Sequence, residues 1–422
     1  MARAAGGGEL VGIGAPCFLW FFLCTNKERT YSALMDLRNL PDQLSSLQRI
    51  NQRRTLIERE LGVDLKHLEP REHTIGESEK KNCEQMFGTV SVPVGYAGPL
   101  TLTFSNNHST ELHLPLATTE GALVASVNRG CKAVSAAGVT ITKTIHHGIT
   151  RSIAFRASSS TKVQELVDAI RKNEAAWKAV AQATSNHLTV LSYTIDLQKQ
   201  YVFLTIACDT DEAMGMNMVT IAAQAIADWA TTNVEGIRCI TVAGNVDSDK
   251  KPSKRTHDLG RGFEVHASVM LSKETVADIL KTTPEAMKQV ADAKLTHGST
   301  LAGALGSNLH AANIIAALYL GAGQDIAHTV EGSLTDTTVE ETGSGLKISV
   351  RVPAILVGVR GGGTTLPTQK QCLDLLLKNK SGLQIKQQLA ESITAAVLAG
   401  EVSLLAAQAA HQLAKSHEKL AR

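Results

Sequence analysis

Six segments between residues 151 and 242 decide how this chain folds: RSIAFR (151–156), KVQELVDAIRKNEAAWKAVAQA (162–183), LTVLSYTIDL (188–197), YVFLTIAC (201–208), MGMNMVTIAAQAIADW (214–229) and IRCITV (237–242). The first, third, fourth and sixth are short runs rich in β-branched and aromatic residues, the pattern of strands. The second and fifth repeat apolar residues at helical spacing. The order strand, helix, strand, strand, helix, strand is that of a split β-α-β-β-α-β unit, so a ferredoxin-like domain is predicted over 152–242.

Residues flanking this unit are of mixed character. The charged stretch 39–62 reads as an amphipathic helix ending at Gly62, and 63–84 is polar and irregular. Val90, Val92 and Val94 alternate ahead of a Gly-Pro turn, 112–117 is strand-like, and small residues from Glu120 to Ala137 predict a helix. Beyond the unit, strands are expected at 265–271 and 346–359. Helices are expected at 273–293, 301–320 and 390–417. The class is mixed α/β (α+β), with a large helix-rich domain around an inserted small one.

Composition narrows the function. The chain has 422 residues, enough for two or three domains, and its net charge of +2 argues against a general polyanion-binding surface. Aromatic residues make up only 4%, too few for platforms that stack nucleic-acid bases. Seven scattered cysteines without a CxxC pair fit a reducing, cytoplasmic compartment and give no zinc pattern. The apolar run 10–24 is shorter than the roughly 20 residues of a spanning helix and contains Pro16, so residues 1–38 are expected to be a poorly ordered extension.

Five stretches set polar groups beside small-residue helix: ATTEGALVASVNRGC (117–131), DEAMGMNM (211–218), GNVDSDKKP (244–252), HAANIIAALYLGAGQD (310–325) and AKSHEKLAR (414–422). Buried charge is costly unless paired, so such placements point to a site. Taken alone, Glu120 reads as a first-turn carboxylate favoured by a helix dipole, Lys251 as part of a solvated turn and His417 as a surface histidine. Asp325 differs, because a carboxylate just past a helix C-terminus is disfavoured unless a cation holds it. Gly-rich GVRGGGT (358–364) permits close backbone approach but also occurs in plain turns. These residues define a polar site without defining its substrate.

Together the five stretches closely resemble the catalytic domain of 3-hydroxy-3-methylglutaryl-coenzyme A (HMG-CoA) reductases, from about Glu84 to Arg422. The DKKP form and the C-terminal Ser-His pair resemble the biosynthetic, NADPH-dependent branch. The resemblance implies reduction of HMG-CoA to mevalonate and coenzyme A, with NADPH as cofactor and no metal. It implies catalytic roles for Glu120, Lys250, Asp325 and His417. Coenzyme A contacts fall on Ser126, Asn128 and Arg129. Substrate-carboxylate contacts fall on Arg151, Asp249 and Lys251, with Asn313 near the reacting centre. Cofactor contacts fall on Ser185, Asn186, Glu212, Met214, Gly215, Met216, Asn217 and Arg422.

The resemblance also implies a subunit in parts: a helical N-terminal domain at 39–84, a large domain from 85–151 and 243–398, the small cofactor domain, and a C-terminal helix and tail at 399–422. It implies a homo-oligomer, dimer or tetramer, with active sites across the dimer interface and no need of a membrane for catalysis. Some positions depart from the family pattern. Asp211 stands for a glycine, Ala243 for a serine, Arg360 for an apolar residue, and Asn186 for an arginine that faces the 2′-phosphate of NADPH. Two other readings follow from these departures: an NAD-linked degradative enzyme, and a binder without turnover.

Overall fold

A computed structural model describes Leu37 and residues 40–411. The apolar run 10–24, His417 and Arg422 lie outside the described residues. Two compact units divide the chain between Val90 and Ser91.

In the first unit, helix α1 (Ser46–Leu61) begins later than the periodicity predicts. Ser45 and Gln48 close a reciprocal capping box there, which fixes the start. Gly62 ends the helix in the left-handed conformation, as expected. Arg49 and Arg53 both pair with buried Glu79, at 2.7 and 3.0 Å, above a small core of Ile50, Ile75 and Met86.

The second unit holds nine strands among the described residues: β1 (Val94–Thr103), β2 (Ser109–Ala117), β3 (Val139–Ala157), β4 (Thr189–Gln198), β5 (Tyr201–Asp209), β6 (Ile237–Thr241), β7 (Gly262–Ser272), β8 (Asp336–Thr342) and β9 (Gly345–Ile355). The order β2-β1-β3-β7-β9-β8 forms one sheet, and β6-β3-β5-β4 forms the other, entirely antiparallel. The second order is that of the split unit read from 151–242. Its helices are α3 (Ser160–Lys172), α4 (Glu174–Gln182) and α5 (Met216–Asn233). The single helix expected at 162–183 is two, parted at Asn173. They share a core with Ile153, Phe155, Trp177, Leu204 and Ile226.

The expected strand at 151–156 is the far end of a 19-residue strand. Residues 139–148 of β3 pair with β1 and β7, and residues 149–157 with β5 and β6. The change of partners falls at a bulge around Gly148, whose φ is +80°. A side chain there would meet the Cys208 carbonyl oxygen at 2.8 Å, so glycine answers both the backbone angle and the close approach.

The large core is built on helices α2 (Leu123–Ser135), α6 (Ala311–Gly321) and α7 (Ile385–Ala409). The helix expected at 301–320 is confined to α6, because Gly303 and Gly306 take left-handed angles and Asn308 donates to the Ser333 and Thr335 carbonyls. Residues 273–293 likewise break before Pro284, which opens a separate helix. By length and hydropathy α7 is able to cross a membrane, yet 94% of that stretch is buried inside the fold. It also carries two buried carboxylates, Glu391 and Glu401.

Glu264 on β7 ties three strands of the large sheet. It accepts from Arg351 Nε on β9 at 2.9 Å and pairs with His147 on β3 at 3.0 Å and with His266 at 2.8 Å. Burial pushes its carboxyl up, but the hydrogen bonds from Arg351, His266 and His147 outweigh this and bring it from 4.5 down to about 2. A carboxyl lower in the folded than in the unfolded chain adds stability above its unfolded value and loses it as pH falls through the folded value. Denaturant melts should therefore weaken as pH falls from about 4.5 to about 2. Glu264→Gln should be less stable near neutrality and show a shallower acid decline; equal slopes would contradict this assignment.

Candidate active site

Two clusters of the sequence-predicted residues form, one at each end of α6. At the N-terminal end, Asn313 Nδ2 donates to Glu120 Oε2 at 2.6 Å. Glu120 lies ahead of α2 on an exposed turn, followed by Ala122 at φ +70°. It is therefore not in the first helical turn. A cavity of about 490 Å³ adjoins it, lined by Ser126, Arg129, His310 and Asn313 among others. Arg129 is held by α7, with Nη2 donating to the Ser403 carbonyl at 2.7 Å and Nε to Ser403 Oγ at 3.1 Å. Burial pulls its guanidinium below the ordinary arginine value. Asn128 points elsewhere, accepting from the Gly98 N–H on β1 at 3.0 Å.

At the C-terminal end, Asp325 follows α6 and pairs with Lys250 Nζ at 2.7 Å. The expected cation is thus present. Burial pushes the Asp325 carboxyl up, but hydrogen bonds from Lys250 and the Ala327 N–H hold it below the usual carboxylate range. Asn245, Ser248 and Lys250 all have φ between +54° and +67°, left-handed angles that non-glycine residues adopt only when their surroundings impose them. Beside them Arg151 lies 3.4 Å from Asp249, and Lys251 folds back so that Nζ donates to the Asp249 carbonyl at 2.9 Å.

The helix of α6 has 11 residues, about 16 Å at 1.5 Å per residue. That length separates the Glu120–Asn313 pair from the Lys250–Asp325 pair within one subunit. Asp325 pairs with Lys250 and Glu120 with Asn313, and no hydrogen bond joins Asp325 to Glu120 inside this chain.

The 211–217 stretch joins the Lys250 end. Gly215 caps the 18-residue α5 at φ +91°, and a Cβ there would strike Thr210 at 2.4 Å. Met216 Sδ accepts from Arg261 at 3.2 Å. Gly358 lies against the Met214 nitrogen, where a side chain would meet it at 2.3 Å, so the glycine cluster serves in part to let two loops touch. The departures from the family pattern find places here. Asp211 takes φ +54°, an angle glycine adopts freely, and pairs with His187 at 2.8 Å. Arg360 pairs with Glu212. Ser185 Oγ accepts from the His187 N–H at 3.2 Å, and Asn186 is exposed beside it.

Several residues that build the site escaped the sequence reading. Glu331 and Arg261 form a buried ion pair at 2.8 Å, and Arg261 also contacts Asp249 at 3.0 Å. Lys386 on α7 lies under the 209–213 loop, 3.4 Å from Asp209, Thr210 and the Ala213 carbonyl. Glu401 on α7 accepts from the Leu309 and His310 N–H groups, both at 2.8 Å, just ahead of α6. The only signal for these was a charge set among small residues, which also describes much solvent-facing helix.

A strained, ion-paired lysine loop thus lies beside a glycine-capped helix of a split β-α-β-β-α-β unit, with a separate cavity at Glu120, an arrangement of an α/β enzyme's site. The family profile described as hydroxymethylglutaryl-coenzyme A reductase matches residues 49–422, and the chain belongs to that family. The match begins some 35 residues earlier than the motifs alone reach. The 3-hydroxy-3-methylglutaryl-coenzyme A reductase of Methanocaldococcus jannaschii is 40% identical over 382 residues, 88% of this chain and 92% of that one. The reductase of Haloferax volcanii is 40% identical over 349 residues, 82% and 86% of the two chains. A class II reductase of Streptococcus pneumoniae, solved bound to NADPH in open conformations, has the same fold, with a TM-score of 0.61, 18% identity, and 87% and 98% of the two chains covered.

Glu401 carries one further expectation for this site. Glu401→Leu should leave the Leu309 and His310 N–H groups buried without acceptors and destabilise the fold by about 1–3 kcal/mol per lost partner. Urea melts check the loss; an unchanged midpoint would show that these bonds carry no net stability.

Proposed function

We propose that this chain catalyses the NADPH-dependent reduction of HMG-CoA to mevalonate and coenzyme A, with Lys250 as the electrophilic cation. The observation that carries this reading is the Lys250–Asp325 pair at 2.7 Å in a chain of the HMG-CoA reductase family. Converting a thioester to an alcohol takes two hydrides, and negative charge gathers on the substrate oxygen each time. A preorganised ammonium stabilises that charge best where the site is closed to water. Asp325 keeps the ammonium oriented. Arg151 and Lys251 hold the substrate's free carboxylate, and Asp249 holds Arg151 in place. Ser126 and Arg129 line the coenzyme A path beside Glu120 and Asn313, while Asn128 braces β1 behind it. Glu120 serves as proton donor to the aldehyde oxygen, and His417 as proton donor to the departing thiolate.

NADPH supplies the hydrides when bound. Its phosphates suit the start of α5, where the first N–H groups have no helical acceptor and Gly215 leaves the approach clear. Ser185, Asn186, Glu212, Met214, Met216, Asn217 and Arg422 complete that contact set. The Asp249-Lys250-Lys251-Pro252 loop favours the biosynthetic direction over the degradative one.

The working unit in this reading is a homo-oligomer. Lys250 and Asp325 are still 40% and 36% exposed within one subunit, and the Glu120 pair lies a helix length away. Two-fold pairing brings the Lys250 end of one subunit to the Glu120 end of its partner and closes both to water. A reducing, cytoplasmic location fits the five described cysteines, all free.

The test is NADPH oxidation on adding HMG-CoA, with NADH in parallel and sedimentation of the same sample. Two NADPH consumed per mevalonate by a dimer or larger species is the expected result. Lys250→Ala should lower kcat by about 10²–10³, the cost of removing one oxyanion donor. Turnover with NADH alone would move the cofactor assignment. No turnover with either cofactor from folded oligomer would favour a binder.

A further inference from the structure

The Lys250 loop is closed into a ring by two buried side chains with no assigned part in the reaction. The Lys250 N–H donates to Glu331 Oε1 at 2.7 Å. Glu331 is fully buried and faces His328 Nδ1 at 3.3 Å. His328, also fully buried, presents Nε2 to Asp325 Oδ2 at 3.8 Å, and that nitrogen has no nearer partner. Asp325 returns to Lys250 through Nζ at 2.7 Å. One carboxylate therefore grips the lysine's main chain, and the other grips its ammonium. The imidazole stands between them.

Asp249, His328 and Glu331 gather their ligand atoms within 4.8 Å, the reach of a metal site. The Arg261 guanidinium already stands against both carboxylates, at 2.8 Å from Glu331 and 3.0 Å from Asp249. A guanidinium thus occupies the place a metal cation would take, and the cluster acts through geometry. Lys250 sits at φ +57°, a left-handed angle that persists in a lysine only when neighbours over-determine it.

We propose that Glu331 and His328 are positioning residues for Lys250, Glu331 through its N–H and His328 through Asp325. The proposal rests on the reading of Lys250 as the reacting cation only for its kinetic consequence. The ring itself makes a second, chemical prediction. With His328 in place, its Nε2 stands 3.8 Å from Asp325 Oδ2 and limits where that carboxylate can turn. With His328 removed, Asp325 gains freedom, and Lys250 is less shielded and reacts faster with amine reagents.

The experiment uses the full chain and the variants His328→Leu, His328→Gln and Glu331→Gln, with thermal melts to confirm folding. Lys250 labelling by an amine-reactive reagent is followed by peptide mass spectrometry across alkaline pH, and kcat and KM are measured in parallel. In His328→Leu the labelling rate should rise at a given pH, and kcat should fall about tenfold with KM within about twofold, as expected for a displaced group rather than lost binding. His328→Gln, which keeps one donor, should recover part of both effects. If Glu331→Gln does not fold, the two His328 variants decide alone. Unchanged labelling and unchanged kcat in His328→Leu would overturn the proposal. A labelling shift in a protein whose wild type shows no turnover would uphold the ring while removing the reductase reading.

Discussion

A single strand belongs to two sheets, and everything else in the second unit is arranged around that constraint. The first half of β3 pairs with β1 and β7, the second half with β5 and β6. Hydrogen-bond directions in a strand are fixed by its backbone, so the two sheets cannot turn independently about β3. The bulge at Gly148 sets the angle between them. Arg151, three residues further along, is thereby aimed at the loop that carries Asp249 and Lys250. The loop returns from β6 directly into that position, with the Gly244 N–H donating to the Ser152 carbonyl at 2.6 Å.

Around this frame, buried charges are matched group by group. Arg261 meets Glu331 and Asp249, Glu264 meets Arg351 with two histidines, and Lys386 meets Asp209. Burial pushes Asp247 above the usual carboxylate range, even with Arg261 and Arg151 opposing it. Isolated ions would not survive such burial, but ions with several partners fix loops in shapes that the backbone alone disfavours. The local cost of left-handed angles at Asn245, Ser248 and Lys250 is offset in this way.

The small unit was legible because its strands alternate and its helices repeat, and because both patterns are short and bounded by turns. β8 was not, since DTTVEET is polar and lies at a sheet edge, where one face needs little apolar surface. The first half of β3 was hidden by polar residues: Lys143 is exposed, His146 stacks on Phe263 and His147 pairs with Glu264. Glu120, Lys250 and Asp325 stood out from family motifs, and the Lys250–Asp325 pair also from the misplaced carboxylate after α6. Glu331 and Arg261 did not, because their meaning lies in a contact between residues 70 positions apart. No spacing rule reaches that far.

The long helix α7 has a temporal consequence. Its Glu391 accepts from Ser105 and Thr144, its Lys386 reaches the 209–213 loop, its Ser403 holds Arg129, and its Glu401 caps the approach to α6. Each end of the site thus waits on a partner placed after residue 385. On a ribosome adding roughly 5–20 residues per second, the sheets emerge many seconds before that helix does. Until then the faces of β7, α2 and α6 that α7 covers stay open. The nascent protein passes through a sticky, siteless stage whose length is set by translation speed, and it is then, more than in the finished subunit, that chaperones have surface to hold.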